Sequence, residues 1–281
     1  MKVSEAIRSA KQALASSGIE SARLDAEVLC AHALSTERCA LHTRRDDDIS
    51  TDSARHFEEM VQRRSRGCPV AYIAGVKEFW SIPISVTQDV LIPRPETETV
   101  VEEALKIANG IDGARILDLC TGSGCIAAAL ASELPDARIV ASDASERALA
   151  VARRNLEFAA GRAELLLGDL LEPAKGQFDI ITANPPYIAE GDIEALMRDI
   201  RDYEPMEALS AGLAGLDFIE RIIEDAPAKL ARGGWLVMEV GAGQAAAATS
   251  MAVGRESYDT IRTARDLAGI ERVVLMRKSP L

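Results

Sequence analysis

The sequence predicts an α/β protein in which a mostly parallel sheet carries helices on both faces and is preceded by a small helical bundle. After Gly113, short apolar runs typical of buried strands alternate with amphipathic segments typical of helices, and such alternation requires crossovers between parallel strands. Before about residue 68, apolar residues recur only at helical spacing. A chain of 281 residues can bury two cores, so we expect two domains.

The first domain is predicted to span residues 1–68 and to contain amphipathic helices. Their apolar stripes are formed by Val3, Ile7, Ala10 and Leu14, by Leu24 and Val28, and by Phe57, Met60 and Val61. Serines and glycines near the ends of these segments are typical of helix boundaries. The basic cluster Arg63–Arg66 ends the last helix, where positive charge complements the helix dipole. A docking role is the alternative for this cluster.

Residues 69–95 are predicted to form a hairpin-like linker. VAYIAG, EFW and IPISV are short, rich in β-forming residues and separated by glycine and proline. The IPRPETE segment that follows contains two stiffening prolines and leads into a helix predicted over 97–108. We expect this rigid segment to position Arg94 and Glu96.

Residues 96–281 are predicted to form the sheet domain. Strands are expected, in chain order, at RILDL, RIVASD, AELLLGD, FDIITAN, WLVMEV and RVVLM, and helices over 125–133, over 145–159 and near 215–231. Open sheets of this kind bind ligands at the carboxyl ends of their strands. The polar and glycine residues at those ends are therefore the candidate site.

Composition and charge exclude several classes of function. No segment approaches 18 consecutive apolar residues, and the amino terminus lacks the apolar centre of a signal peptide, so we expect a cytoplasmic protein without a membrane partner. A net charge of −12 disfavours direct binding to nucleic acid. The five cysteines are scattered and suggest no metal site. All three histidines precede residue 60, so a later site must work without histidine.

The segment RILDLCTGSG is predicted to be a strand followed by a turn, in which Gly122 and Gly124 allow a ligand close to the backbone. Cys120 replaces the first glycine of a dinucleotide-binding motif, and no lysine follows the glycines, so nucleotide phosphate is a poor candidate ligand. Asp143, at the end of the next strand, can accept hydrogen bonds from ribose hydroxyls. Asp169 follows a third strand, within expected reach of an adenine amino group.

In the segment FDIITANPPYI, the two prolines are predicted to stop the strand and to hold Asn184 at its carboxyl end. The lone pair of an amide nitrogen is delocalised, so the nitrogen must be oriented before it can attack a methyl group. The Asn184 side-chain oxygen and the Pro185 backbone carbonyl can accept its two N–H hydrogens. Tyr187 can pack over the planar acceptor and bear on a nearby cation through its ring.

The motifs DLCTGSG, ASD, LLLGD and NPPY, in this order, resemble the class I methyltransferase fold. The resemblance implies S-adenosyl-L-methionine as the cofactor and S-adenosyl-L-homocysteine as its product. The positive sulfonium of this cofactor agrees with a turn that carries no lysine. NPPY-type motifs imply transfer to a nitrogen conjugated with a π system, in a nucleic-acid base or in a side-chain amide.

The resemblance extends over nearly the whole chain. RRSRGCPVAYIAGVKEFW, VLIPRPETE, NPPYI, YEPMEAL, GLDFIERII and DLAGIERVV are similar to the bacterial peptide chain release factor N5-glutamine methyltransferase family. This similarity implies that the partners are class 1 release factors, recognised by the helical domain and methylated on the glutamine of their Gly-Gly-Gln loop. An acidic enzyme would complement a basic protein substrate. We expect a monomer.

The resemblance also implies roles for individual residues. The substrate glutamine is assigned to Asn184, Pro185, Pro186 and Tyr187, of which Asn184, Pro185 and Tyr187 are the candidate catalytic residues. The cofactor is assigned to Cys120, Thr121, Gly122, Ser123, Gly124, Asp143, Asp169, Leu170 and Asn184. Supporting roles beside the site are assigned to Phe79, Arg94 and Glu96.

Three alternatives stay open. The family usually has glycine in place of Cys120, and the cysteine form resembles the related enzymes that methylate a glutamine of ribosomal protein uL3. The IPRPETE segment favours release factors instead. An adenine-N6 methyltransferase of nucleic acid would need a basic surface, which the acidic charge disfavours. A non-catalytic S-adenosylmethionine-binding scaffold would not need an intact NPPY motif.

Overall fold

The computed structural model describes residues 1–280, which form two compact units. The helical unit contains residues 1–76 together with residues 197–203, and the sheet unit contains residues 77–196 and the chain from Glu204 onward. The helical unit is therefore discontinuous in sequence. Among residues 1–280, no helix combines the length and the apolar character that a membrane crossing requires.

The helical unit is built from short amphipathic helices. Its first four helices are α1 (Val3–Ser16), α2 (Ala22–Ala33), α3 (Thr51–Ser65) and α4 (Val70–Ala74). The later segment adds Arg198–Tyr203, which is α8 in chain order. The stripes predicted on α1 and α3 are buried at Val3, Ala10 and Leu14 and at Phe57, Met60 and Val61, while Ile7 is half-buried. These two helices therefore present the predicted faces to the core.

The stripe predicted on α2 is wrong. Leu24 is 48% exposed and Val28 is half-buried, whereas Asp25 and Leu29 are buried. Asp25 can lie inside because its carboxylate accepts a hydrogen bond of 2.6 Å from Arg64 Nε. A buried charge requires such a partner. The buried face of α2 therefore contains an acid, which an apolar pattern cannot reveal.

Arg64 belongs to the basic cluster at the end of α3 and is itself buried. Besides Asp25, its guanidinium donates to the backbone oxygens of Gly67 and Cys68, each at 3.3 Å. Its Nη1 also lies 3.8 Å from Asp199 Oδ2 on α8. The cluster therefore contributes one arginine to the internal structure of the helical unit.

The linker differs from the prediction in its first segment. VAYIAG, expected to be β-rich, forms α4 and ends at Gly75, whose φ is 73°. Periodicity cannot separate strand from helix in so short an apolar run. The expected hairpin follows as β1 (Val76–Phe79) and β2 (Ile82–Ser85). Trp80 and Ser81 form its tight turn, both with positive φ.

The sheet unit contains seven strands in the order β5-β4-β3-β6-β7-β9-β8. Its elements are α5 (Glu98–Ala108), β3 (Arg115–Leu119), α6 (Cys125–Glu133), β4 (Arg138–Asp143), α7 (Glu146–Asn155), β5 (Ala163–Leu167), β6 (Phe178–Ala183), α9 (Asp217–Lys229), β7 (Leu230–Glu239), α10 (Ala245–Ala252), β8 (Tyr258–Arg265) and β9 (Glu271–Lys278). Strands β3 to β7 are parallel, and β9 is antiparallel to both of its neighbours. The predicted α/β architecture is confirmed.

Both faces of the sheet are covered. Helices α9 and α10 bury one face through residues such as Ile219, Ile223 and Ala248, and α5, α6 and α7 pack on the sheet as a second, contiguous group. All six predicted strands are present, and β8 is the strand that the sequence did not indicate. Its sequence YDTIRTAR is mostly polar and partly exposed, as an edge strand allows.

The register fixes where the strands end. Leu119 of β3 pairs with Ser142 of β4 on one side and with Ala183 of β6 on the other. The turns that follow these three strands therefore begin at the same edge of the sheet.

Candidate active site

A cavity of about 820 Å³ lies at the carboxyl ends of β3, β4 and β6, entirely within the sheet unit. Predicted site residues that line it are Arg94, Cys120, Thr121, Gly122, Ser123, Asp143, Asp169, Leu170, Asn184 and Pro186. Predicted site residues outside its lining are Phe79, Glu96, Gly124, Pro185 and Tyr187. Residues from five separate parts of the sequence therefore meet at one edge of the sheet.

The turn after β3 has an unusual backbone. Cys120, Gly122 and Gly124 all have positive φ, at 52°, 54° and 78°. Leu170, which also lines the cavity, has φ of 45°. Left-handed backbone is strained for non-glycine residues and is concentrated at functional sites. Cys120 and Leu170 therefore mark the cavity wall as a place where the fold imposes backbone geometry.

Gly124 is required for a second reason, which is packing. A Cβ atom at this position would lie 3.1 Å from Cβ and 3.3 Å from Cα of Ala152. Ala152 is on α7, so glycine allows the start of α6 to approach that helix closely. Gly124 shapes the turn from outside the cavity.

Asp143 joins the turn after β3 to the end of β4. Its Oδ2 accepts a hydrogen bond of 2.8 Å from the backbone N–H of Gly122, and its Oδ1 accepts one of 2.9 Å from that of Ser145. Burial raises the pKa of Asp143, while these backbone N–H groups oppose the rise. The carboxylate is thus fixed in place at the cavity wall.

Asp118 supports the same turn from below. It is fully buried and accepts hydrogen bonds from the hydroxyls of Thr121, at 2.6 Å, and Thr182 on β6, at 2.8 Å. Burial raises the pKa of Asp118 to about 6. Asp118 was not among the predicted site residues, although a carboxylate inside the apolar run RILDL is a usable signal.

The arginines that line the cavity are paired with carboxylates. The pairs are Arg94 with Glu204, Arg147 with Asp89, and Arg221 with Asp169. The cavity wall therefore presents little uncompensated positive charge and suits a cationic ligand better than a phosphate. The Asp169 carboxylate, which we expected near an adenine amino group, is held by Arg221.

The segment after β6 turns at the two prolines, as the sequence indicated. Asn184 follows the last strand residue and its Nδ2 donates to Thr97 Oγ1 at 3.3 Å. That contact directs the amide nitrogen toward Thr97 and leaves the side-chain oxygen for another donor. Thr97 is buried and also lines the cavity. It lies in the predicted rigid segment, but the sequence analysis gave it no site role.

Gln244 holds the exit of this turn. Its Nε2 donates to the backbone oxygens of Tyr187, at 2.9 Å, and Gly215, at 3.1 Å, while its Oε1 accepts from the N–H of Gly241 at 2.8 Å. A Cβ atom on Gly215 would lie 2.4 Å from the Tyr187 oxygen. Both residues therefore fix the backbone path at Tyr187, and the sequence analysis assigned neither to the site.

The Tyr187 hydroxyl donates to Glu239 Oε1 at 3.2 Å, and its ring packs against the core cluster beneath α9 and α10. Burial raises the pKa of Tyr187 above its usual value. Glu239, at the end of β7, is fully buried, and burial raises its pKa to about 7. The stacking of Tyr187 on a planar substrate stays a prediction.

The supporting residues have distinct places. Phe79 is buried at the end of β1, and Arg94 pairs with the buried Glu204. Glu96 lies near enough for its negative charge to raise the pKa values of Tyr187 and Glu239. Arg94 therefore belongs to the cavity wall. Glu96 lies near the turn formed by Asn184–Tyr187, which is called the acceptor turn below.

Comparison with solved structures supports the fold. The hMettl16 catalytic domain in complex with the MAT2A 3′UTR hairpin 6 is 18% identical, with a TM-score of 0.57 over 79% of this chain and 82% of that one. A methyltransferase from Pyrococcus furiosus is 16% identical, with a TM-score of 0.52 over 79% of this chain and 98% of that one. The predicted class I methyltransferase fold is confirmed.

Sequence comparison is more specific. Residues 5–75 match the PrmC N-terminal domain and residues 99–201 match the methyltransferase small domain. A release factor glutamine methyltransferase from Geobacter sulfurreducens is 44% identical, covering 93% of this chain and 91% of that protein. One from Vibrio cholerae is 41% identical, covering 97% and 96%. With this identity over nearly its full length, the chain belongs to the family of release factor glutamine methyltransferases.

Proposed function

We propose that this protein transfers a methyl group from S-adenosyl-L-methionine to the side-chain N5 of the glutamine in the Gly-Gly-Gln loop of class 1 release factors. The observation that carries the proposal is that Asn184 and Asp143 line one cavity, each held by hydrogen bonds. One residue suits an amide acceptor and the other suits the ribose of a nucleoside. Methyl transfer needs both at one place.

The cavity fits the cofactor in size and in chemistry. Its volume lies within the range of small-molecule sites. Asp143, Leu170 and the turn Cys120–Gly124 would hold the nucleoside, and the paired arginines leave the wall without strong repulsion of a sulfonium. When bound, S-adenosyl-L-methionine supplies an electrophilic methyl group on a positively charged sulfur.

The acceptor turn fits an amide. The Asn184 oxygen and the Pro185 carbonyl would accept the two N–H hydrogens of the substrate nitrogen, which orients its lone pair. The bond from Asn184 Nδ2 to Thr97 favours this arrangement, because it directs the amide oxygen away from Thr97. Proline geometry restricts the Pro185 backbone. The methylated nitrogen can release its proton to water, so the reaction needs no general base at this turn.

The choice of a release factor rests on the relatives and on charge. The relatives named above are called release factor glutamine methyltransferases, and their similarity includes the helical amino-terminal domain. The net charge of −12 suits a basic protein partner. We assign recognition of the release factor to the helical domain.

The test is mass spectrometry of three possible acceptors incubated with enzyme and S-adenosyl-L-methionine. The acceptors are a class 1 release factor, ribosomal protein uL3 and an adenine-containing RNA. We expect one added methyl on the glutamine of the Gly-Gly-Gln loop and none after Asn184→Ala. Methylation of uL3 alone, or of RNA alone, would overturn the proposed substrate, and binding of cofactor without any transfer would support a scaffold instead.

A further inference from the structure

A buried carboxyl group that the proposed chemistry does not use lies behind the acceptor turn. Glu239 ends β7 and is 0% exposed. Its Oε1 receives the Tyr187 hydroxyl at 3.2 Å. Within residues 1–280, its Oε2 is buried and has no hydrogen-bond partner. Such an oxygen is costly to bury unless a neighbouring donor can reach it.

Thr97 is the neighbouring donor. Its oxygen accepts the Asn184 Nδ2–H, and a hydroxyl has a single hydrogen, so that hydrogen is available to another acceptor. The Thr97 hydroxyl lies near enough to Glu239 to favour the charged form of the carboxyl group.

We propose that Glu239 is a positioning residue whose carboxylate receives the hydroxyl hydrogens of Thr97 and Tyr187 and thereby fixes the direction of the Asn184 amide. The role in catalysis rests on the function proposed above. In this arrangement hydrogen bonds run from Asn184 to Thr97 and from Thr97 to Glu239. Every hydroxyl hydrogen then points toward Glu239, so the Asn184 oxygen is left for the substrate nitrogen.

Protonation of Glu239 would allow the hydrogen bonds between Glu239, Thr97 and Asn184 to reverse their donors and acceptors. A neutral carboxyl group can itself donate to Thr97, and Thr97 can then donate to the Asn184 oxygen. The Asn184 NH₂ group would in that case face the substrate nitrogen, which is the wrong polarity for holding its N–H hydrogens. Glu239 therefore acts in its charged form, and acid should lower the rate of methyl transfer.

Several groups around Glu239 set its charge. The acidic side chain of Glu96 and burial favour the neutral form, whereas Arg272 on β9, Thr97 and Tyr187 favour the charged form. Cys125 on α6 also faces Glu239, but burial raises the pKa of that thiol and keeps it neutral. Arg272 itself contacts Asp266 at 3.3 Å. Burial is the largest of these influences and raises the pKa of Glu239 to about 7.

The first experiment measures kcat, cofactor Kd and pH profile for Glu239→Gln, Thr97→Val and Thr97→Ser in the full chain. At about pH 8 we expect kcat to fall at least about tenfold in Glu239→Gln and Thr97→Val, the loss of one directed hydrogen bond. Thr97→Ser keeps the hydroxyl and should retain most of the rate. Cofactor Kd should change less than about threefold in all three, because Glu239 lies outside the cavity lining and each variant keeps Asp143 and the Cys120–Gly124 turn.

The pH profile separates positioning from mere packing. Wild-type kcat should decline as the pH falls through about 7, and this decline should be absent in Glu239→Gln. Thr97→Val combined with Glu239→Gln should be little worse than either change alone, since both interrupt one set of hydrogen bonds. Unchanged kcat and an unchanged acid limb in Glu239→Gln would overturn the proposal.

A second measurement does not depend on the substrate. NMR of protein labelled on glutamate carboxyl carbons and asparagine amide nitrogens should show the Asn184 amide signal shifting with the same midpoint as the Glu239 carboxyl signal. Thr97→Val should abolish this shared midpoint, and Thr97→Ser should keep it. If the Asn184 amide signal in wild type did not follow the midpoint of the Glu239 carboxyl signal, the coupling would be overturned. Failure of the wild-type protein to methylate glutamine would overturn only the proposed function.

Discussion

The turn after β3 and the turn after β6 begin at the same sheet edge but are held by different means. The glycine-rich turn is fixed by its own left-handed backbone and by Asp143, which is 21 residues from Gly122. The Asn-Pro-Pro-Tyr turn depends on Thr97, 87 residues from Asn184, and on Gln244, 57 residues from Tyr187. The turn after β3 is therefore held largely by contacts that are close in sequence, while the turn after β6 is held by distant segments.

Each turn also has one buried carboxyl group beneath it. The two carboxyl groups differ in how many of their oxygens accept a hydrogen bond. Asp118 accepts hydrogen bonds on both oxygens, from Thr121 and Thr182. Glu239 receives the Tyr187 hydroxyl on one oxygen, and within the described chain its other oxygen has no partner. A satisfied carboxylate holds a rigid turn, whereas a half-satisfied one can respond to rearrangement of its neighbours.

The largest expected effect separates the two turns by function. Asn184→Ala should lower kcat by about 10³-fold, as loss of an orienting acceptor does, while leaving cofactor Kd within about threefold. Asp143→Ala should instead raise cofactor Kd by at least about tenfold, because it removes both a ligand-facing acid and the anchor of Gly122. Isothermal titration and single-turnover rates measure the two effects. Equal loss of affinity in both variants would contradict the division of roles.

The second prediction concerns the contribution of Glu239, which lies beneath the acceptor turn, to the pH dependence of the free energy of unfolding. The folded pKa of Glu239, about 7, lies above the usual 4.5, so the folded state binds an extra proton between these values. This group therefore makes the free energy of unfolding fall as pH rises through that window, by about 3 kcal/mol in total. Urea unfolding at several pH values should show a smaller fall in Glu239→Gln than in wild type.

Asp118 supplies a matched comparison for that measurement. Its folded pKa, about 6, is also raised, so its effect on stability is confined to a more acidic window. Asp118→Asn should reduce the fall in the free energy of unfolding mainly at lower pH values than Glu239→Gln does. The same pH dependence in wild type and Glu239→Gln would show that the pKa of Glu239 is not raised in the folded protein.

The smallest predicted effect compares one glycine from each turn region. Gly215→Ala should destabilise the protein by about 2 kcal/mol, because the left-handed backbone disfavours Cβ and the new atom meets the Tyr187 oxygen. Gly122→Ala has a positive φ but no such close contact, so about 1 kcal/mol is expected. Thermal denaturation gives both values, and a smaller loss in Gly215→Ala than in Gly122→Ala would contradict the steric account.

The local part of this architecture could be predicted from the sequence. Strand–turn–helix patterns identified β3, β4 and β6, and the residues after them indeed meet at one cavity. The end of the strand at Asn184 could be predicted from the two prolines that follow, because proline fixes φ and lacks a backbone N–H in any context. These signals require no knowledge of which distant segments come together.

The missed features depend on long-range pairing. Thr97, Gln244 and Glu239 act through partners more than 50 residues away, and no spacing rule connects them. The buried position of Asp25 was not predicted, because its partner, Arg64, is on another helix. A charged residue inside an apolar strand, such as the glutamate of WLVMEV, was the available signal for a buried polar site. Cytoplasmic location and a monomeric state stay predictions.

The discontinuous helical unit has a consequence for recombining this protein with its relatives. Because residues 197–203 belong with residues 1–76, no single crossover point exchanges the helical unit as a whole. A chimera joined only near residue 76 would combine a foreign α3 with the native α8, so Arg64 and Asp199 would come from different parents. Transplanting the helical unit between family members therefore calls for two grafts, one over residues 1–76 and one over residues 197–203.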